Sequence, residues 1–331
     1  MLELSNPRMR VTLEAVRKAA RLIRVIQRET VVPSLIKGDK SPVTVADFAS
    51  QALIGYMLAT SFPDIPMVAE ETSTALRSPE GASLLKQVTD YVQRILPDAT
   101  GESVCVWIDH GGADAGKQCW VLDPIDGTKG YLRGDQYAVA LALVEDGVVQ
   151  IGALGCPNLT DALTPDSDGP GSVLLAARDQ GCWASSMDDD NNDWRQLHVS
   201  DCMDGSQARL MRSFESGHTN IGMIDHIAEH LGVQVEPVRM DSQAKYAVLA
   251  SGGGEVILRL LSPEKPDYRE KIWDQAAGAL ILEEAGGCIT DLDGRSLDFT
   301  QGRMLVKNRG VLATNGRLHD TLLDTLAALK V

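Results

Sequence analysis

Several absences narrow the class of this 331-residue chain. No run of 18 apolar residues occurs, so no membrane span is expected. Residues 1–10 have no apolar signal core, and the C-terminus has no lipidation box. The six cysteines (Cys105, Cys119, Cys156, Cys182, Cys202 and Cys288) are scattered, with no C-x-x-C pair. Several lie in apolar runs, where a buried free thiol is expected, and this points to a reducing compartment, most simply the cytoplasm. Basic residues are also short, 31 against 46 acidic ones, for a net charge of −15. Such a chain repels nucleic-acid polymers in general, which argues against a non-specific nuclease. A small anionic substrate would need local cations, either metal or clustered Lys and Arg. The composition is otherwise that of a soluble protein, 44% hydrophobic and 5% aromatic, and the length suits a large core in two lobes.

What is present centres on residues 123–134, Asp-Pro-Ile-Asp-Gly-Thr-Lys-Gly-Tyr-Leu-Arg-Gly. The apolar run 119–122 predicts a short buried strand ending at Asp123. Pro124 and Gly127 predict a turn that aims the Asp123 and Asp126 carboxylates at one point. Two carboxylates so close repel unless a cation lies between them, and hard oxygen ligands suit Mg²⁺, with the Ile125 carbonyl as a further donor. The N–H groups of Gly127 and Thr128 could cradle an oxyanion, and the Thr128 hydroxyl could hold a water. A tight Asx-turn without metal explains the same residues.

Around this centre, periodicity predicts helices over 11–29, from Thr44 to about 60, and over 84–96, 221–231, 273–285 and 317–330, with another beginning at 241. Thr44-Val-Ala-Asp47 has capping-box spacing, so Asp47 reads locally as a helix-start acid. Strands are predicted at 67–69, 104–108, 208–211, 255–260, 289–291 and 311–314. Two hairpins are predicted, 137–144 with 148–154 and 173–178 with 182–184. Glu70 and Glu71 end a buried-type strand, which makes one of them a candidate ligand. The acidic loop 188–193 marks a boundary between lobes 1–200 and 201–331. Gly111 to Lys117 nearly matches a phosphate loop, but Gln118 replaces the Ser or Thr that binds Mg²⁺ and a strand follows, so it reads as a flexible loop. His226-Ile-Ala-Glu229-His230 matches a zinc-protease pattern, yet both histidines fall at the margin of a core stripe and no zinc site is expected. The mixed order of hairpins and alternating elements argues for an α/β layered sandwich.

Asp123-Pro-Ile-Asp-Gly-Thr128, Glu70-Glu71 and Trp273-Asp274 resemble, in order, the three motifs of the lithium-sensitive, Mg²⁺-dependent inositol monophosphatase superfamily. Lys129-Gly-Tyr-Leu-Arg-Gly134, Gly155-Cys-Pro-Asn158, Asp241-Ser-Gln-Ala-Lys-Tyr246 and Glu270-Lys-Ile-Trp-Asp274 are similar to its 3′(2′),5′-bisphosphate nucleotidase branch. So is Ser41-Pro-Val-Thr with Asp47. Lys129-Gly130 stands where inositol monophosphatases carry Thr-Asn, and Ala46 and Ala69 stand where relatives often carry Gly.

The resemblance implies a five-layer αβαβα sandwich. It implies two to three Mg²⁺ ions, one on Glu70, Asp123 and the Ile125 carbonyl, and one on Asp123, Asp126 and Asp274. Asp47 with Glu70 would reach a third, looser ion, which overrides the local reading of Asp47. A water held by Thr128, with Asp47 and Glu70 as proton acceptors, would attack phosphorus in line. Gly127 and Thr128 would hold the cleaved phosphate, and Lys245 and Arg259 the other one. Glu215, His218 and Ser242 would surround adenosine, with Asp274 also close to substrate. The expected reaction is hydrolysis of adenosine 3′,5′-bisphosphate to AMP, and of the 3′-phosphate of 3′-phosphoadenylyl sulfate. Roles in sulfur assimilation and salt tolerance are implied, with inhibition by Li⁺ and Na⁺. The partner would be this small nucleotide, with no membrane and no polymer, in a monomer. An inositol phosphate phosphatase, an aspartyl-phosphate phosphotransferase and a non-catalytic nucleotide sensor remain as alternatives.

Overall fold

The computed structural model describes residues 4–29, 34–36, 42–189, 193–214 and 220–331. Glu215 and His218 lie outside the described residues, as do Ser41 and part of the acidic loop.

The chain opens with α1 (Pro7–Glu29), whose Met9, Leu13, Val16, Ala20 and Ile23 recur at helical spacing and are all buried. A small antiparallel ladder, β1 (Ser34–Ile36) with β2 (Pro42–Thr44), leads to α2 (Val45–Ser61). That helix starts with the expected capping box, Thr44 and Asp47 satisfying each other's backbone N–H groups. It is buried on nearly every side because α1 flanks it, as do α3 (Ala82–Gln93) and α4 (Gly101–Asp109).

Seven strands form the first sheet, in the order β11-β10-β9-β6-β5-β4-β3. In chain order they are β3 (Met67–Ala69), β4 (Gln118–Asp126), β5 (Ala138–Glu145), β6 (Val148–Cys156), β9 (Ser172–Ala177), β10 (Cys182–Ser186) and β11 (Arg195–Gln196). A two-residue pair, β7 (Leu159–Thr160) and β8 (Thr164–Pro165), interrupts them. Only β3 and β4 pair in parallel; the other pairs are antiparallel. Asp146 and Gly147 join β5 to β6 with positive φ of 48° and 79°, the geometry of the predicted hairpin turn. Five strands form the second sheet, in the order β13-β12-β14-β16-β15. They are β12 (Leu210–Arg212), β13 (Val238–Arg239), β14 (Val256–Arg259), β15 (Cys288–Thr290) and β16 (Val311–Thr314).

Side-chain alternation along the strands divides the interior into three cores. Trp120, Leu122, Val139 and Leu141 face α1 and α2. Cys119, Val121, Ala138 and Ala140 face the other way, onto α7 (Ala244–Ala250) and α8 (Ala276–Glu284). The same two helices receive Met211, Ile257, Ile289 and Ala313 from the second sheet. Its far face, with Leu210, Val256, Leu258 and Leu312, packs on α6 (Ile221–His230) and α9 (His319–Ala328). The result is the expected five-layer αβαβα sandwich.

Two predicted elements differ. Residues 104–108 belong to α4, not to a strand: Val104, Cys105 and Ile108 share a buried face, and Thr100 and Ser103 form a capping box. A short apolar run has no period of its own, so the cap decides it. In addition, β4 does not stop at Asp123 but continues to Asp126 through a break in register.

The central layer packs closely enough to require small residues. A Cβ on Gly278 of α8 would lie 2.3 Å from the Tyr246 ring. That ring is held by a hydroxyl bond to Gln275 Oε1 at 2.5 Å. Gly278→Ala is therefore expected to destabilise by about 1–3 kcal/mol, read from denaturant midpoints, whereas helix propensity alone would favour it.

Candidate metal and phosphate site

The break in β4 organises the site. Asp123 pairs with Ala140 and Asp126 with Ala138, so three steps on β4 match two on β5. Ala138 and Ala140 lie on the same face of the sheet. Regular strand geometry would send residues three apart to opposite faces; the bulge returns Asp126 to the face of Asp123. Pro124 sits inside it, where no ladder N–H is needed, and its carbonyl accepts from the buried Ser50 hydroxyl at 2.9 Å. Thr128 Oγ1 donates to the Ile125 carbonyl at 3.2 Å. Gly127 has φ 85° and opens the short α5 (Thr128–Arg133). A Cβ there would lie 2.8 Å from that of Ser242, so both torsion and space demand glycine.

Parallel pairing of Ala69 with Leu122 brings Glu70 out beside Asp123. From α2, Asp47, Ser50 and Gln51 share one helix face. Gln51 grips Glu71 through both backbone groups, at 3.0 and 2.7 Å. Glu71 is buried and Glu70 only half-buried, so Glu70 is the glutamate with access to the site. Asp47 is 1% exposed. Its Oδ2 accepts from Thr44 N at 2.9 Å, so the capping role read locally is real.

Asp274 arrives from the far side, in the turn before α8. Arg259 Nη2 lies 2.8 Å from Glu270 and 4.0 Å from Asp274. Lys245, 5% exposed, donates to Ser213 Oγ at 2.7 Å. Ser242 packs on Gly127.

Electrostatics shows that these acids converge. Burial raises the Asp123 pKa well above the carboxylate range, and the charges of Glu70, Asp126, Asp274 and Asp47 raise it further. Asp126 is also raised by burial, against the pull of Lys245 and Arg259. Asp274 is raised well above its ordinary value by burial, offset by Arg259 and reinforced by Asp126, Glu270 and Glu70. Burial, then Arg259, lowers Lys245 to about 8. Asp123 is 2% exposed, and its Oδ1 has no hydrogen-bond partner among the described residues. A buried carboxylate oxygen without a donor, faced by four other acids, fits a divalent cation. As they stand, no three His, Cys, Asp or Glu side chains among the described residues form a closed ligand set.

His226 and His230 are both exposed, and His226 Nδ1 lies 3.6 Å from Glu229. Gly111 to Lys117 is a loop leading into β4, as expected. Sequence reasoning missed Gln243. Its N–H donates to Asp126 Oδ2 at 2.6 Å, its side-chain amide to the Trp273 carbonyl at 2.9 Å, and its Oε1 accepts from Gly278 N at 3.0 Å. It also missed Glu270 as the partner of Arg259. Both lie inside motifs that the sequence reading singled out, but neutral amides and second acids carry no chemical signal of their own.

The family model of the inositol monophosphatase family matches residues 6–330, and the chain belongs to that family. It is 39% identical over 337 residues to a Schizosaccharomyces pombe protein named 3′(2′),5′-bisphosphate nucleotidase, covering 96% of this chain and 94% of the relative. An Oryza sativa protein of the same name is 42% identical over 330 residues, covering 95% and 91%. Among solved structures, Thermotoga maritima IMPase superposes with a TM-score of 0.68 at 19% identity, covering 98% of each chain. CysQ from Bacteroides thetaiotaomicron superposes with 0.62 at 17% identity, covering 95% of this chain and 98% of that one.

The raised Asp123 pKa has a testable consequence. A carboxyl whose folded pKa lies above its unfolded one stabilises fully below the unfolded pKa, and this is lost as pH rises through the folded pKa. Metal-free protein should therefore lose stability as pH climbs above the ordinary carboxylate range. Asp123→Asn should flatten that dependence and raise the chelator-treated Tm by about 2–4 °C, the shift that about 1 kcal/mol produces in a large domain. Differential scanning calorimetry across pH checks both.

Proposed function

We propose that this chain, a phosphatase of the inositol monophosphatase family, removes the 3′-phosphate of adenosine 3′,5′-bisphosphate with Mg²⁺ bound, leaving AMP. The observation that supports the chemistry best is Asp123: buried, lacking a donor on Oδ1, and faced by Glu70, Asp126, Asp274 and Asp47. The substrate class is supported by the full-length relatives named bisphosphate nucleotidases.

When bound, Mg²⁺ supplies Lewis-acid activation and charge neutralisation for phosphoryl transfer. Glu70, Asp123, Asp126, Asp274 and the Ile125 carbonyl would hold it. The Thr128 hydroxyl, on the first residue of α5, orients the attacking water. Asp47 and Glu70 serve as the proton acceptors, Asp47 from the helix start where Thr44 N donates to its Oδ2. The N–H groups of Gly127 and Thr128 receive the phosphate that is cut. Lys245 and Arg259, next to Asp126 and Asp274, receive the one that is not. Ser242, with Glu215 and His218, would line the nucleoside. On this reading 1–200 carries most of the acids and 201–331 supplies Asp274 and the nucleotide contacts. Hydrolysis of 3′-phosphoadenylyl sulfate, a place in sulfur assimilation, and Li⁺ and Na⁺ inhibition belong to the same proposal.

Mg²⁺-dependent phosphate release across adenosine bisphosphates and inositol phosphates tests the assignment. Turnover is expected on the bisphosphates, and a preference for inositol monophosphate would replace this reading with the family's other substrate class. Lys245 offers a sharper probe than Arg259, because removing Arg259 would also leave the buried Glu270 without its ion-pair partner. Lys245→Met should raise KM for the bisphosphate by at least about tenfold, the loss of one charge-assisted contact, with little change for a monophosphate. For the native chain, kcat/KM on the bisphosphate should fall as pH rises through about 8, where Lys245 loses its proton. In Lys245→Met that inflection should vanish.

A further inference from the structure

Arg303 lies between β15 and β16, far in sequence from every motif above. Its guanidinium nevertheless reaches the end of β3, bonding closely to the Ala69 carbonyl and more loosely to the carbonyls of Gly111 at 3.4 Å and Ala113 at 3.5 Å. Gly111 also accepts from Ala69 N at 2.9 Å, so one cation caps both the strand end and the loop beside it. The same guanidinium lies over the Trp273 ring, 4.8 Å from its centroid. Arg303 is tied to that segment through its backbone as well, its carbonyl accepting from Ile272 N at 3.2 Å. Ala69 immediately precedes Glu70, and Trp273 immediately precedes Asp274. These two acids come from different layers, one after β3 of the first sheet and one before α8 of the central layer, and Arg303 touches the residue before each.

A planar fork suits this position. Its edge can donate to several carbonyls while its face stacks on indole, which an ammonium cannot do. The acids whose charge it feels are Asp114 and Glu70.

We propose that Arg303 is a positioning residue that holds the Glu70 and Asp274 arms at a fixed separation and so sets how tightly the site takes a divalent cation. The inference rests on the metal-site reading above. It differs from a general fastening role, in which Arg303 would affect folding stability and leave cation affinity alone.

Metal-free native chain, Arg303→Ala and Arg303→Lys are titrated with Mn²⁺, the free ion being followed by electron paramagnetic resonance well below each Tm. Arg303→Ala is expected to bind Mn²⁺ about 10-fold more weakly, the lower end of the effect of losing a group bonded directly to a metal ligand, because Arg303 acts one residue away from each acid. Arg303→Lys, which keeps the charge but not the fork, should stay weak, and added guanidinium ion should restore part of the affinity of Arg303→Ala. A folded Arg303→Ala with the native Mn²⁺ isotherm overturns the proposal, even if its Tm falls. If Arg303→Ala does not fold, Arg303→Lys decides: a native isotherm overturns the proposal, and a weakened one upholds it. Failure of the native chain to take up Mn²⁺ would instead overturn the site reading itself.

Discussion

Carboxylates brought together away from water raise one another's cost of ionisation, and a fold that gathers them must oppose that repulsion by rigid framing. Here the framing begins with one bulge in β4, which turns two aspartates three residues apart onto one face of the sheet. Everything around it holds that irregularity in place. Ser50 takes the bulge carbonyl, the left-handed Gly127 takes the chain away, and Ser242 closes over the glycine. The antiparallel partner β5 is alanine-rich at the facing positions, which leaves room for the acids above it.

The second half of the molecule contributes through contacts that are mostly neutral. Gln243 spends its backbone N–H on Asp126 and its side chain on the segment that carries Asp274. Glu270 engages Arg259, and Gln275 holds both Glu270 and the Tyr246 hydroxyl. A dense network of this kind restricts the arrangements open to its members, and this helps to fix the acids despite their repulsion. Burial of Lys245 beside Arg259 follows the same logic: two cations close together are tolerable only because Asp126, Asp241 and Glu270 oppose them.

The layer order follows from simpler physics. Both faces of each sheet are largely apolar, so each must be covered, and the helices between the sheets are buried on nearly every side. α7 and α8 meet that demand with alanine and glycine, which bring the two sheets close enough to share one core.

Much of this was legible in the chain. The period of α1, the Thr44 to Asp47 capping box and the Asp146-Gly147 turn are local events, each governed by a few neighbouring residues. The acidic motifs were legible as chemistry, since carboxylate spacing around a Pro and a Gly carries meaning without coordinates. α4 was misread because five apolar residues fit a strand as well as a helix, and the Thr100 cap that settles it lies outside the run. Which glutamate faces the site, what Arg259 is paired with, and what Gln243 and Arg303 do were not legible. Those depend on partners between 11 and 234 residues away. The sequence by itself determined the elements, their apolar faces and the kinds of ligand available, because these rest on short-range sterics and side-chain chemistry. Only the tertiary structure decided which charges meet and which are already neutralised, because electrostatic energy depends on distance in space and on exclusion of water, and neither is a property of order along the chain.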